Sequence, residues 1–149
     1  DAIVVTAPMY FTAIPIFGVY GVEFIEIGQD EAGIRIDELE ATLARRAAEG
    51  LAPPKLIYNV ADFHNPSGVT MPLDRRRTLV DLAARHGIAV IEDTPYRRVR
   101  VEGEAESRPC PAPILLVEKR RKRGRGGARR DRTRHLGLVL AHDLPCGSV

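Results

Sequence analysis

Short runs of apolar, mostly β-branched residues recur along the chain and predict strands. The first run covers residues 2–6, Ala-Ile-Val-Val-Thr, and further runs cover residues 22–27, 55–60 and 88–91. A short apolar run of this kind is typical of a strand that is buried on both faces of a parallel sheet. The pattern therefore predicts strands at these four places.

Helical patterns separate the predicted strands. The apolar segment 10–20 is expected to be helical, with Pro15 as a local fault and Gly21 after its end. Segment 37–46 carries acidic residues first and basic residues last, which suits the helix dipole. A third helix is predicted from Pro72 to about residue 86.

Strands and helices alternate in the order β-α-β-α-β-α-β, with residues 28–33 read as a turn. This order predicts an α/β fold with a largely parallel sheet. In such sheets, ligands bind beyond the carboxyl ends of the strands. Three segments follow strand ends, at residues 8–10, 65–68 and 93–96. We expect them to converge on one site.

Composition fits one globular domain rather than a membrane protein. The chain has 149 residues, of which 44% are hydrophobic and 28% charged. No apolar run approaches the roughly 20 residues that span a bilayer. The first residue is Asp1 rather than Met, which suggests the middle of a gene product. Cys110 and Cys146 show neither metal-ligand nor disulfide-framework spacing, so a cytoplasmic location is the default.

A basic block near the end of the chain is hidden by the net charge of +2. Residues 114–135 hold ten Lys or Arg and only two Asp or Glu. We therefore divide the chain into an α/β body, residues 1–107, and an irregular basic tail, residues 108–149. The tail could be a nucleic-acid-binding arm, but it lacks interleaved aromatic residues, so nucleic acid binding is the minority interpretation. Out-of-frame translation of GC-rich DNA would also yield such a composition.

Four residues at the expected site could carry chemistry. A carboxylate at the end of a buried strand, such as Asp93, either pairs with a cation or shifts its pKa. Asn65 precedes a proline and a glycine, Tyr96 follows Pro95, and Tyr10 offers a flat ring. Each of the four is, by itself, more commonly a turn, cap or packing residue. Their combination is more specific.

Four motifs in order carry a resemblance to a known family. They are Ala-Pro-Met-Tyr at 7–10, Asp-Glu-Ala-Gly-Ile at 30–34, Asn-Pro-Ser-Gly-Val-Thr-Met at 65–71 and Ile-Glu-Asp-Thr-Pro-Tyr at 91–96. Over roughly residues 1–105, the chain resembles the class I/II aminotransferases of fold type I, which depend on pyridoxal 5'-phosphate (PLP). The likeness is greatest to aminoadipate and kynurenine aminotransferases, and to the similar domain of GntR-type regulators.

The resemblance implies roles for the four candidate residues. Tyr10 would stack on the PLP ring, Asn65 and Tyr96 would bind its phenolic oxygen, and Asp93 would hold its protonated pyridine nitrogen. Thr94 stands where the family more often has Asp. The implied activity transfers an amino group between an amino acid and a 2-oxo acid, in a homodimer.

The resemblance also shows what the printed sequence lacks. The family's Schiff-base lysine follows the Asp-x-Pro-Tyr segment in a Ser-Phe-Ser-Lys-like motif. Only Lys119 and Lys122 follow Tyr96, and neither lies in such a motif. No catalytic residue is therefore assigned, and the chain is expected to be inactive as printed. The family's phosphate-binding loop would precede residue 1, and its substrate-binding Arg would follow residue 149.

A shift of reading frame is one hypothesis for the tail. Residues 137–148 read Gly-Leu-Val-Leu-Ala-His-Asp-Leu-Pro-Cys-Gly-Ser. A shift of one nucleotide, with allowed codons, can give Gly-Ser-Phe-Ser-His-Thr-Ile-Cys-Pro-Ala-Gly-Arg, which contains the family's Ser-Phe-Ser motif. The shifted codon at Ala141 must begin with C, so it cannot encode lysine. The DNA sequence of the gene tests this hypothesis.

Two further hypotheses stay open at this point. The parent protein could be a transcription regulator with an aminotransferase-like effector domain, which a winged-helix segment upstream of Asp1 would support. The chain could instead be a non-catalytic remnant that binds nucleic acid through its basic tail. Salt-sensitive DNA binding that is lost when residues 117–135 are deleted would support this second hypothesis.

Overall fold

The computed structural model describes residues 1–96 and the backbone of two later strands, at 114–118 and 137–140. The strands are β1 (Ala2–Ala7), β2 (Glu23–Asp30), β3 (Gly33–Ile34), β4 (Leu56–Val60), β5 (Ala89–Asp93), β6 (Ile114–Glu118) and β7 (Gly137–Leu140). They form one sheet in the order β3-β2-β1-β4-β5-β6-β7.

Three helices within residues 1–96 connect the strands: α1 (Ala13–Gly18), α2 (Ile36–Ala48) and α3 (Leu73–Arg85). Because a helix crosses back over the sheet each time, β2, β1, β4 and β5 run parallel, and β6 continues the parallel set. The strands β3 and β7 pair antiparallel at the two edges. The predicted α/β class with a largely parallel sheet is confirmed.

The two faces of the sheet are covered unequally. Helices α2 and α3 cover one face, where Val4, Ile57 and Val90 from the strands pack against buried leucines of both helices. The opposite face holds a smaller cluster that includes Tyr58 and Val60, and α1 packs on it. Large apolar side chains around α1 remain exposed, namely Phe11, Ile14, Ile16, Val19 and Tyr20.

Helix α1 is shorter than the predicted segment 10–20. It begins at Ala13, whose backbone N–H donates to the carbonyl of Tyr10. Pro15 therefore lies in the first turn, where its missing N–H costs no helical hydrogen bond. Tyr10 remains outside the helix, close to the end of β1.

The prediction of a turn over residues 28–33 is wrong in extent. Strand β2 continues to Asp30 and pairs antiparallel with β3, so the turn consists of Glu31 and Ala32 alone. The Asp30 carboxylate accepts a hydrogen bond from the Ala32 backbone N–H at 2.8 Å, which stabilises this tight turn. Gly33 follows with a φ of 98°, and a Cβ there would lie 3.1 Å from the Cε of Met71. Both features favour glycine.

Strands β6 and β7 lie within residues 108–149, the segment expected to be irregular. Two stretches of that segment are therefore strands, while the boundary near residue 107 and the frame-shift hypothesis stay predictions. In the part of the chain that the structure describes, none of the helices has the length and apolar character needed to span a bilayer.

Candidate functional site

The carboxyl ends of β1, β4 and β5 are neighbours in the sheet, and the three expected segments follow them. The structure brings these segments together. The Asn65 side-chain amide donates to the Tyr96 hydroxyl at 2.9 Å. The rings of Tyr10 and Tyr96 meet edge to face, with centroids 6.3 Å apart. The convergence expected from the fold class is thus observed for three of the four candidate residues.

The fourth candidate, Asp93, is the last residue of β5 and is bound by a residue that the sequence did not single out. The Tyr58 hydroxyl of β4 donates to Asp93 Oδ2 at 2.8 Å. In the parallel register, Tyr58 lies opposite Ile91 and Val60 lies opposite Asp93, so Tyr58 and Asp93 share one face of the sheet. Tyr58 is only 6% exposed.

The pKa of the Tyr58 hydroxyl depends on burial and on the other candidate residues of the site. Burial raises the pKa of Tyr58 far above its ordinary value, and the negative charge of Asp93 raises it further. The phenols of Tyr10 and Tyr96 act on the pKa of Tyr58 in the same direction, with smaller effects. The Tyr58 hydroxyl consequently stays protonated and remains a hydrogen-bond donor at any physiological pH.

An open cavity of about 330 Å³ lies on the Asn65 side of the site. This volume is within the range of roughly 300–1,000 Å³ that is typical of small-molecule sites. The loop after β4 supplies most of its wall, and the rest comes from the segment after β5. The lining residues are Phe63, His64, Asn65, Pro66, Gly68 and Tyr96.

His64, to which the sequence analysis assigned no role, holds the loop after β4 in place. It is 3% exposed, and its Nε2 lies 3.0 Å from the Thr6 hydroxyl while its Nδ1 lies 2.9 Å from the Ser67 hydroxyl. The Gln29 amide lies next to the same ring and donates to the Pro8 carbonyl at 3.1 Å. Burial lowers the pKa of His64, which favours the neutral ring. One imidazole thereby ties the loop after β4 to strands β1 and β2.

A buried ionic cluster lies beneath the site, on the face covered by α3. The Arg76 guanidinium is 2.9 Å from Asp62 Oδ1 and 3.2 Å from Glu92 Oε1. It also donates to the backbone carbonyls of Ala61 and Met71. Arg76 therefore links α3 to the loop after β4 and to the end of β5.

The sequence contained a signal for two of the residues that were missed. Arg76 lies three residues before Leu79 and seven before Ala83, so helical spacing places it on the buried face of α3. Tyr58 lies in an otherwise apolar strand, where a buried phenol needs a partner for its hydroxyl. The identities of the partners did not follow from either pattern.

The described part of the chain places no lysine at the site. Lys55 directly precedes β4, and its backbone bonds to Ala2 and Ala89 put it at the amino end of the sheet, opposite the site. Lys119 and Lys122 lie outside the described residues.

Comparison with known proteins identifies similar chains. The family model described as aminotransferase class I and II matches residues 1–121. Aromatic-amino-acid aminotransferase 1 of Thermococcus litoralis is 40% identical over 103 residues, which are 69% of this chain and 24% of that protein. The crystal structure of Pyrococcus horikoshii kynurenine aminotransferase, in complex with PMP, matches with a TM-score of 0.74 and 34% identity, covering 78% of this chain and 30% of that one.

One similar protein belongs to a different functional class. The HTH-type transcriptional regulator YjiR of Escherichia coli is 34% identical over 103 residues, which are 68% of this chain and 21% of that protein. The chain thus spans about a quarter of the length of the curated relatives that it matches.

Proposed function

The chain belongs to the aminotransferase class I and II family, and on that premise we propose that it forms the part of a PLP-dependent aminotransferase that holds the cofactor's ring. The whole protein would transfer an amino group between an amino acid and a 2-oxo acid. The observation that carries the proposal is that a carboxylate, a side-chain amide and two tyrosines lie at the carboxyl ends of β1, β4 and β5.

The chemistry of these side chains fits the ring of PLP. Asp93 offers a carboxylate at the end of a strand whose first three residues are apolar, where a cationic ring N–H is a favourable partner. When bound, PLP supplies an electron-accepting ring that weakens the bonds at the substrate's α carbon. The role proposed for Asp93 is to hold the proton on the ring nitrogen by pairing with it.

The contact between Asn65 and Tyr96 fits a shared acceptor. A side-chain amide has two N–H donors, and Asn65 uses one of them on the Tyr96 oxygen. The second N–H of Asn65 and the hydroxyl proton of Tyr96 can then both be directed at one ligand oxygen. We propose that this oxygen is the cofactor's phenolic oxygen, with the Tyr10 ring packed against the face of the cofactor's ring.

Catalysis of transamination by the 149-residue chain is not part of the proposal. Among the residues that the structure describes, Lys55 is at the opposite end of the sheet, so the site has holding and orienting groups without an amine. We therefore propose that this chain binds the cofactor weakly and does not transaminate.

Binding of PMP to the 149-residue chain tests the proposal. PMP has no aldehyde, so it cannot react indiscriminately with surface lysines as PLP does. In a titration followed by NMR, PMP should shift the signals of Asn65, Asp93 and Tyr96, whereas inorganic phosphate should not. Equal shifts with PMP and with phosphate would contradict the proposal.

The substitution Asp93→Asn makes the test specific for the proposed ion pair. It removes the charge but keeps the shape, and an ionic hydrogen bond contributes about 1.5–3 kcal/mol, so PMP affinity should fall about tenfold to hundredfold. Asp81→Asn, on the exposed side of α3, is the matched control and should leave the affinity unchanged. An equal loss in both variants would argue against a pair between Asp93 and the ring.

A regulator is the second candidate, because the Escherichia coli relative is a transcriptional regulator. In this case the same site would bind the cofactor or an amino acid as an effector. Sequencing the gene upstream of Asp1 decides between the two, since an in-frame winged-helix segment would identify the regulator.

A homodimer in the cytoplasm is also part of the proposal, as the family resemblance implies. Exposed apolar side chains around α1 support an assembly that covers this face, since Val19 is 84% exposed and Tyr20 is 78% exposed. Sedimentation analysis of the purified chain checks the oligomeric state, and a strictly monomeric chain at high concentration would count against this part of the proposal.

A further inference from the structure

We propose that Tyr58 is a positioning residue, whose buried hydroxyl keeps Asp93 ionised and oriented toward the cofactor's ring nitrogen. The inference rests on the proposed function, because Asp93 is the residue assigned there to the ring nitrogen. Its direct support is the 2.8 Å hydrogen bond from the Tyr58 hydroxyl to Asp93 Oδ2.

The position of the Tyr58 hydroxyl is fixed by the sheet. Tyr58 and Asp93 lie on adjacent parallel strands and on the same face, so the register of β4 and β5 sets the distance between them. The Phe17 ring of α1 packs edge to face on the Tyr58 ring, with centroids 5.3 Å apart. A buried ring that is packed against a neighbouring ring presents its hydroxyl in one place, which orients the carboxylate that it binds.

The electrostatic effect of Tyr58 on Asp93 has a definite sign. A hydrogen bond donated to a carboxylate stabilises its ionised form, and such O–H···O⁻ bonds are among the strong ones. Helix α1, which packs on this face, has no ionisable side chain. Among residues 1–96, the ionisable groups that act on Tyr58 are Asp93, Tyr10 and Tyr96, and the phenol remains the protonated partner.

Binding to Tyr58 leaves Asp93 able to bind a ligand. A carboxylate has two oxygens with about four acceptor positions, and Tyr58 uses one position on Oδ2. A phenol that stays protonated donates to Asp93 without changing the charge of the carboxylate. Tyr58 thus prepares an oriented anion for a cationic ring.

The first test needs no cofactor. In the ligand-free 149-residue chain, the Asp93 side-chain carboxyl signal is followed by ¹³C NMR as the pH is lowered. In the Tyr58→Phe variant, Asp93 should become protonated at a higher pH than in the unmodified chain, because the donor that stabilises its ionised form is gone. Tyr20→Phe removes a hydroxyl from a tyrosine that is 78% exposed and should leave the titration unchanged.

A variant that keeps the shape of the Tyr58 side chain controls for the possibility that Tyr58→Phe disturbs the fold. Replacing Tyr58 by 3-fluorotyrosine makes the phenol a stronger donor without removing it, so Asp93 should take up its proton at lower pH. An Asp93 titration that is the same in the unmodified chain, in Tyr58→Phe and in the fluorinated chain overturns the inference.

The second test adds PMP across a range of pH. At the acidic end, Tyr58→Phe should bind PMP about tenfold more weakly than the unmodified chain, whereas at the alkaline end the two should differ by less than about threefold. A purely structural role would weaken binding equally at both ends. PMP binding with the same pH profile in both chains overturns the inference alone. Failure of the unmodified chain to bind PMP overturns the proposed function and, with it, the ligand role of Tyr58.

Discussion

Glu92 and Asp93 are neighbours on β5, yet they face opposite sides of the sheet and meet different partners. Glu92 points to the face covered by α3 and lies 3.2 Å from the buried Arg76 guanidinium. Asp93 points to the face of α1 and accepts from the neutral hydroxyl of Tyr58. Glu92 thus pairs with a buried arginine, whereas Asp93 is bound by a phenol, and only Asp93 is proposed to meet the cofactor's ring.

The covering elements explain this difference. Helix α3 carries several arginines, and one of them lies on its buried side. Helix α1 consists of Ala, Ile, Pro, Phe and Gly alone, so it cannot bring a cation to the other face. Four predictions test the contrast, from the largest expected effect to the smallest.

Arg76→Met should have the largest effect on stability. It removes the guanidinium shared by two buried carboxylates, and breaking a buried ion pair in this way costs about 3–5 kcal/mol, a large share of a domain's stability. Arg77→Met, at the exposed next position of α3, should cost less than about 0.5 kcal/mol. Urea unfolding of both variants measures the free energies, and similar losses would remove the special role of Arg76.

Substitutions of the adjacent carboxylates Glu92 and Asp93 should differ in effect, the first lowering stability and the second lowering cofactor affinity. Glu92→Gln weakens the contact with Arg76 and should cost about 1–3 kcal/mol of unfolding free energy, with PMP affinity within about threefold. Asp93→Asn should cost under about 1 kcal/mol, because Tyr58 can still donate to the amide oxygen, while PMP affinity falls as given above. If both substitutions lower stability and affinity alike, the two faces do not differ in function.

His64 should make the unfolding free energy depend on pH near neutrality. Burial lowers the pKa of His64 below its ordinary value of 6.5, so the unfolded chain binds the proton more readily than the folded chain. Stability should therefore fall as the pH drops below about 6.5, until the ring is also protonated in the folded chain. His64→Gln should show a smaller fall between pH 7.5 and 5.5 than His86→Gln, the exposed control. Identical slopes would show that His64 is not responsible.

Arg85→Gln should have the smallest effect, although it also removes an ion pair on the α2–α3 side. Arg85 and Glu40 have side chains that are 59% and 60% exposed, and such pairs contribute about 0.5 kcal/mol or less. Urea unfolding checks this value. A loss comparable to that of Arg76→Met would mean that pairing rather than burial decides the contribution of an arginine.

Much of the site could be located from the sequence, because the carboxyl ends of parallel strands share one edge of a sheet. Tyr10, Asn65 and Tyr96 were expected together for this reason and are in contact. Their roles toward a cofactor stay predictions, as does that of Asp93. The short strand β3 was missed, since two residues carry too little pattern to be distinguished from a turn.

The partners of the buried polar residues could not be predicted in the same way. The bond between Tyr58 and Asp93 spans 35 positions along the chain, and that between Thr6 and His64 spans 58. Such pairs depend on strand register and loop path, which local patterns do not encode.

The sequence by itself determined the fold class, the family and the edge of the sheet that carries the candidate site. These follow from apolar periodicity and from motifs that are local along the chain. Only the tertiary structure decided that Glu92 is neutralised by Arg76 while Asp93 is held by Tyr58. The physical reason is that alternation along a strand sends adjacent side chains to opposite faces, and the charge that each face offers depends on which helix packs there.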